Sequence, residues 1–330
     1  MNVGLAVLGA VLLFLTIRGV GWADVQAGLE RVGWWFAAVL VLGGLRFVTR
    51  AQAWRLCARA LASSSLRAHT QPQAEPVSPG LWPFFKAVLS ADALGNVTPL
   101  GLVASEPAKV LFVSERVPTV VAIASVAAEN AFYMATVLAM IGAGALVFFE
   151  VADLSSALRL GAQSVLATVM LSAVAGLWIV RRQPALLSRL ARLFTRATGR
   201  GQAAPERLRD IEVLFYDVVR WPPARMLTVL AWEALFHIAA VAEVYVVLRL
   251  LPAARPITLL DVFVLETAGR LIVVAFKFVP YRLGVDEAGT ALVARALALD
   301  PTVGVTLALV RRLRILCWNA VGLLLLGRVR

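Results

Sequence analysis

The sequence predicts an all-α polytopic membrane protein, with six full spans plus two broken re-entrant segments in an inverted repeat. Three observations lead there. Of the 330 residues 60% are hydrophobic and mean hydropathy is +0.82, against roughly 45–50% apolar in a soluble domain. Apolar runs long enough to cross a ~30 Å hydrocarbon core at ~1.5 Å per helical residue recur along the chain. The chain also repeats itself. Pro99 stands to Glu106 as Pro280 stands to Glu287, seven positions on, with Gly101 and Gly284 between. A Pro-Thr-Val triplet follows each copy, at Pro118 and at Pro301, and eleven positions further lie Glu129 and Arg312. A repeat that divides a membrane chain in two is the mark of paired transporter halves rather than of a solenoid.

The first span runs from about Val3 to Val20. No positive stretch precedes it, so it reads as a span with Arg18 free to snorkel and not as a cleaved signal peptide. The second covers about Val32 to Val48, and the loop His69 to Pro79 is polar, Pro-rich and linker-like. About Trp82 to Arg116 is apolar but broken by Asn96, Pro99 and Gly101, and about Ile257 to Leu299 is broken by Lys277, Pro280 and Gly284. These read as pairs of half-helices, because a broken backbone survives at membrane depth only where protein or a wet cavity satisfies its freed groups. The remaining spans fall at about Pro118 to Phe149, Leu160 to Val180, Met226 to Leu250 and Pro301 to Gly327. The expected division is residues 1–155 as one membrane repeat and 156–330 as its inverted partner, with cytoplasmic interfacial helices at about 181–222. Within that stretch Leu186, Leu187, Leu190, Leu193 and Phe194 form an apolar stripe beside Arg189, Arg192 and Arg196.

Arginines set the orientation. Arg50, Arg55, Arg59 and Arg67 follow the second span, and a denser run from Arg181 to Arg220 follows the fourth. Both are expected on the cytoplasmic side with both termini, in a bacterial-type cytoplasmic (inner) membrane. The net charge of +12 comes almost wholly from arginine, and in a chain of several spans it points to anionic lipid and not to nucleic acid. Cys57, Cys317, His69 and His237 make no metal spacing. No cofactor, no metal and no catalytic set of Ser, His and Asp is expected, so the protein reads as a non-enzyme.

Ionisable residues in the membrane are costly and hence functional suspects. The substrate-binding candidates are Asn96, Glu106, Lys109, Glu129, Lys277, Arg282, Glu287, Arg311 and Arg312, with Pro99, Gly101, Pro280 and Gly284 as structural breaks. Glu106 and Glu287 open the second half-helix of each repeat, where a carboxylate can cap, gate a substrate, or both. Lys109 can pair with Glu106, whereas Thr290 takes its place in the second copy. Two accounts of Glu129 and Arg312 stand. Entering from opposite sides they can pair, or Arg312 holds a lipid phosphate with its guanidinium fork while Glu129 tunes it. Glu266 and Arg270, spaced i,i+4, read as a structural pair. Glu233, His237 and Glu243 allow either a proton relay or a histidine satisfied by a neighbouring helix.

The pattern N-x-x-P with G and E ahead of P-T-V, then P-x-x-x-G-V-x-E, resembles the flippase-like transmembrane region of lysylphosphatidylglycerol synthases. The resemblance extends from Arg46 to the C-terminus and rests on Asn96, Pro99, Glu106, Lys109, Glu129, Pro280, Gly284, Glu287 and Arg312. Full synthases carry a soluble aminoacyl-transfer domain after the membrane part, and this chain stops at Arg330 without one. The resemblance therefore implies lipid translocation and not lipid aminoacylation, with a membrane phospholipid or other anionic lipid as substrate and lipid-synthesis enzymes as possible partners. An arginine common in the family is Lys109 here, which keeps the charge but not the bidentate fork. The expected function is a lipid flippase or transporter that moves an anionic-headed lipid between leaflets. The alternative is a membrane enzyme or non-catalytic assembly factor in lipid or glycoconjugate synthesis.

Overall fold

The computed structural model describes residues 2–68, 80–97, 101–152, 155–185, 188, 189, 191, 192, 204–252, 255–276, 279 and 282–326. Among them every regular element is helical. The first half consists of α1 (Asn2–Val20), α2 (Trp22–Val32), a 3-10 turn (Gly33–Trp35), α3 (Phe36–Ala68), α4 (Leu81–Val97), α5 (Gly101–Val113) and α6 (Thr119–Val151). Apart from helical residues at 188–189 and 191–192, the second half runs through the same series. It consists of α7 (Ser156–Arg182), α8 (Ala204–Tyr216), a 3-10 turn (Asp217–Arg220), α9 (Pro223–Leu250), α10 (Leu259–Ala275), α11 (Val285–Ala296) and α12 (Pro301–Leu326).

Local chemistry sets the helix ends. Pro118 and Pro222 precede α6 and α9, where an amide hydrogen is not needed. Ser155 caps α7 by accepting from the Leu158 amide at 3.4 Å. Thr258 and Asp261 form a reciprocal capping box on α10, and Arg255 fastens it by pairing with Asp261 at 2.7 Å. Gly284, at φ 75°, turns the chain into α11, a conformation that a side chain would strain. The amphipathic α2 buries Val25, Gly28 and Val32 on one face and leaves Asp24, Gln26, Glu30 and Arg31 outside. That helix lies where the sequence suggested only a short connection.

Among the described residues four helical stretches are long and apolar enough to cross a membrane, at Trp22–Ser64, Thr119–Val151, Ser156–Arg182 and Pro223–Leu250. The expected first span falls on α1, and the sixth on α12, where Arg311, Arg312 and Arg314 interrupt the apolar run. One assignment needs correction. Arg50, Arg55 and Arg59, expected in a cytoplasmic connection, lie on α3, which continues as unbroken helix to Ala68. The linker 69–79, Pro99, Lys277, Pro280, most of the expected interfacial stripe and the C-terminal arginines lie outside the described residues.

Where each broken segment was expected, two short helices fold back on each other, α4 on α5 and α10 on α11. The pairs exchange partners between the halves, since α4 packs on α12 and α10 packs on α6. Glycines make both approaches close. A Cβ on Gly322 of α12 would stand 2.7 Å from the Leu89 carbonyl oxygen, and one on Gly144 of α6 would overlap Thr267 of α10. Ser90 closes the first contact by donating to the Gly322 carbonyl at 3.1 Å.

Beside a small third cluster of Val25, Ala291 and Val305, the two larger apolar cores lie towards opposite ends of α3 and α9. One gathers Trp54 and Leu61 of α3, Phe84 and Val88 of α4, Val121 to Val126 of α6 and Val229 of α9. The other gathers Val39 of α3, Val244 and Leu248 of α9, Leu265 of α10, Leu297 beyond α11 and Val303 to Val310 of α12. Helix α3 therefore runs from the second core to the first, and α9 runs the opposite way. Likewise α4 starts at the first core and α10 at the second. Between the cores lies a layer of charge.

Candidate functional site

Within that layer is a cavity of ≈ 270 Å³. Its wall carries seven cationic side chains, Arg46, Arg50, Lys109, Arg270, Arg282, Arg311 and Arg314, against four acidic ones, Asp92, Glu106, Glu266 and Asp286. Helices α3, α4, α5, α10, α11 and α12 supply polar or charged lining, while α6 and α9 contribute only Tyr133 and Phe236. Arg46 and Arg50 come from α3, Asp92 and Asn96 from the end of α4, and Glu106 and Lys109 from α5. Arg270 comes from α10 and Arg311, Arg314 and Trp318 from α12.

Two of the buried carboxylates are each shared by two arginines. Glu243 of α9 lies 3.1 Å from Arg46 and 2.6 Å from Arg314. Glu266 lies 2.8 Å from Arg270 and also pairs with Arg311. Each triad holds two positive charges and one negative, so the excess charge of the layer is concentrated in them. Phe236 joins the two, with the guanidinium of Arg46 4.8 Å and that of Arg270 4.7 Å from its ring centre. The Glu266–Arg270 pair expected from spacing is present, and Arg311 enlarges it.

Four further acid–base pairs are balanced. Arg50 meets Glu129 at 2.6 Å, stacks over Tyr133 at 4.0 Å and donates to Asn130 at 3.1 Å. Asn130 in turn donates to Glu106 at 2.9 Å, and Lys109 donates to the same carboxylate at 2.9 Å. Arg312 meets Glu287 at 2.6 Å, and Arg282 meets Asp286 at 3.2 Å. The halves thus match in one respect. Glu287 lies in the first turn of α11 as expected, whereas α5 already starts at Gly101 and places Glu106 in its second turn, too far along to cap it. Both carboxylates are nonetheless held from the following long helix, Glu287 at Arg312 and Glu106 at Asn130.

Asn96, Glu106, Lys109, Arg282 and Arg311 line the cavity, and Asn96 donates to Asp92 at 3.1 Å and to Asn319 at 3.2 Å. Glu129, 3% exposed, stands behind the wall, as does the fully buried Glu287 with its partner Arg312. Of the two repeat carboxylates, Glu106 therefore lines the cavity and Glu287 is hidden from it. Glu129 and Arg312 each have another partner, so the pairing account is replaced by Glu129 with Arg50 and Arg312 with Glu287. Lys277 lies outside the described residues. His237 bonds Thr136 of α6 at 3.0 Å through Nε2, while its buried Nδ1 has no partner among the described residues, so the neighbouring helix satisfies only one side of the ring.

Sequence reasoning missed Arg46, Arg50, Asp92, Arg270 and Arg314 as site residues. A signal existed for Arg314, which stands three positions after Arg311 on one helix face. For Arg46 and Arg50 there was none, because their partners lie 197 and 79 positions away.

Chemically the cavity suits an anion of phosphate type. Guanidiniums present planar donor forks, and those of Arg46, Arg270, Arg311 and Arg314 belong to residues that line it. Comparison with the curated proteins and with the solved structures gives no match. The family model described as the lysylphosphatidylglycerol synthase TM region matches residues 1–322, so the match begins ahead of Arg46, where the resemblance in the motifs starts. The chain is a multi-pass membrane protein, and it belongs to the family of the lysylphosphatidylglycerol synthase TM region.

Proposed function

We propose that this protein is a lipid flippase that carries an anionic-headed lipid between leaflets without chemical change to it. The observation that carries the reading is the cavity in the charged layer, where two arginine triads hold an excess of positive charge. A phosphate headgroup would lodge there while its tails stay in the bilayer. Six spans, α1, α3, α6, α7, α9 and α12, would surround it, with the hairpins α4–α5 and α10–α11 entering from opposite faces. The opposed directions of α3 and α9, and of α4 and α10, support an inverted repeat, the usual basis of alternating access. In this reading both termini and the arginine-rich stretch between α7 and α9 face the cytoplasm, and the membrane is a bacterial-type inner membrane.

Reconstitution into vesicles containing a fluorescent phosphatidylglycerol tests this. Purified protein alone should expose the inner-leaflet label to an external quencher, and the double variant Arg46→Gln/Arg270→Gln should slow that exposure by at least about tenfold while remaining folded. Exposure no faster than in empty vesicles would overturn the flippase reading, and exposure only when a lipid-synthesis enzyme is added would favour an assembly role.

A further inference from the structure

One buried acid lies outside this scheme. Glu233 of α9 is 0% exposed, and among the described residues neither carboxylate oxygen has a hydrogen-bond partner. Elsewhere in the layer buried carboxylates have cations against them, as Glu129, Glu243, Glu266 and Glu287 do. An ionised carboxylate stripped of both water and partner costs several kcal/mol, whereas the neutral acid forfeits only its hydrogen bonds. The groups whose charges reach Glu233 are Arg50 of α3, Glu129 of α6 and Lys109 of α5. The charge of Glu233 also reaches the buried thiol of Cys57 on α3. His237, one turn along α9, is engaged with Thr136, and the nearest cations from α10 and α12, Arg270 and Arg314, face Phe236 and Glu243 instead.

We propose that Glu233 is a proton-binding site coupled to the cavity through Arg50. With Arg50 held on Glu129, Glu233 carries the proton. When the proton leaves, it passes to bulk water by way of the cavity that Arg50 lines, and the carboxylate left behind draws the guanidinium of Arg50 and the ammonium of Lys109 toward itself. Both cations border the cavity, so proton release and headgroup binding compete for them. The consequence for transport rests on the flippase reading, while the proton itself does not.

Two measurements test the proposal. In infrared spectra of purified protein at neutral pH, the carbonyl band of a protonated carboxyl should be present and should weaken in Glu233→Gln. Identical spectra would overturn it, whether or not any lipid moves. In vesicles with fluorescent phosphatidylglycerol, a gradient of one pH unit should shift the steady leaflet ratio by up to about tenfold, the equilibrium limit for one coupled proton. Glu233→Gln should distribute the lipid alike whatever the gradient. A ratio indifferent to pH in the unaltered protein would reject the coupling and leave the flippase reading standing. If no lipid moves at all, that reading falls and the infrared result alone judges the proton.

Discussion

Arg50 sits at a junction of three interactions, pairing with Glu129, stacking on Tyr133 and donating to Asn130. Removing it leaves a carboxylate that is 3% exposed without its cation, and breaking a buried pair in this way typically costs ~3–5 kcal/mol. Arg50→Ala should therefore lower the unfolding midpoint in detergent sharply. The double variant Arg50→Ala/Glu129→Ala should recover part of the loss, because the stranded charge is gone. Additive losses from the two single variants would show that the pair is not coupled. This partnership was not legible in the sequence. Arg50 follows the end of an apolar run and looks like a loop charge, and its partner is 79 positions away on another helix. By contrast Glu106 with Lys109 and Glu266 with Arg270 were legible, since helical spacing alone brings i,i+3 and i,i+4 side chains together.

At the scale of helices, the approach of α12 to α4 depends on the absence of a side chain at Gly322. Gly322→Val should push α4 away, cost a few kcal/mol as an overpacked contact does, and carry Asp92 and Asn96 out of the cavity wall. At Gly161 of α7 an added methyl would meet nothing within 4 Å, so Gly161→Ala should be neutral or stabilise by roughly 0.5–1 kcal/mol through helix propensity alone. Thermal unfolding of the two variants checks both, and equal effects would remove close packing as the cause. The helices themselves could be read from apolar length, and their breaks from Pro and Gly. The exchange of hairpins between halves could not, because the spacing of a repeat is a local property and the choice of packing partner is not.

For the molecule as a whole, the expected orientation makes the turn before α7 external. In a Cys317→Ser background, where the remaining Cys57 is buried, Ser155→Cys should react with a membrane-impermeant thiol reagent added outside intact cells. Reaction only after the cytoplasm is opened would reverse the inverted arrangement of the halves. The membrane class was visible in the linear sequence. The charged layer was visible only in part, because it is assembled from α3, α6, α9 and α12 together with the half-helices.

The crossed packing of the hairpins, α4 on α12 and α10 on α6, also bears on biogenesis. When the ribosome has delivered residues 1–152, α4 still lacks the helix that covers it, and Asp92 and Asn96 face an unfilled neighbour. The first half is then expected to persist in the membrane as an incomplete intermediate until α12 has been made. Co-expression of 1–152 and 155–330 as two polypeptides should yield an assembled protein that co-purifies, while either piece alone should be cleared by membrane proteases. Stable accumulation of the first piece by itself would mean that the crossed contacts form late and contribute little to survival in the cell.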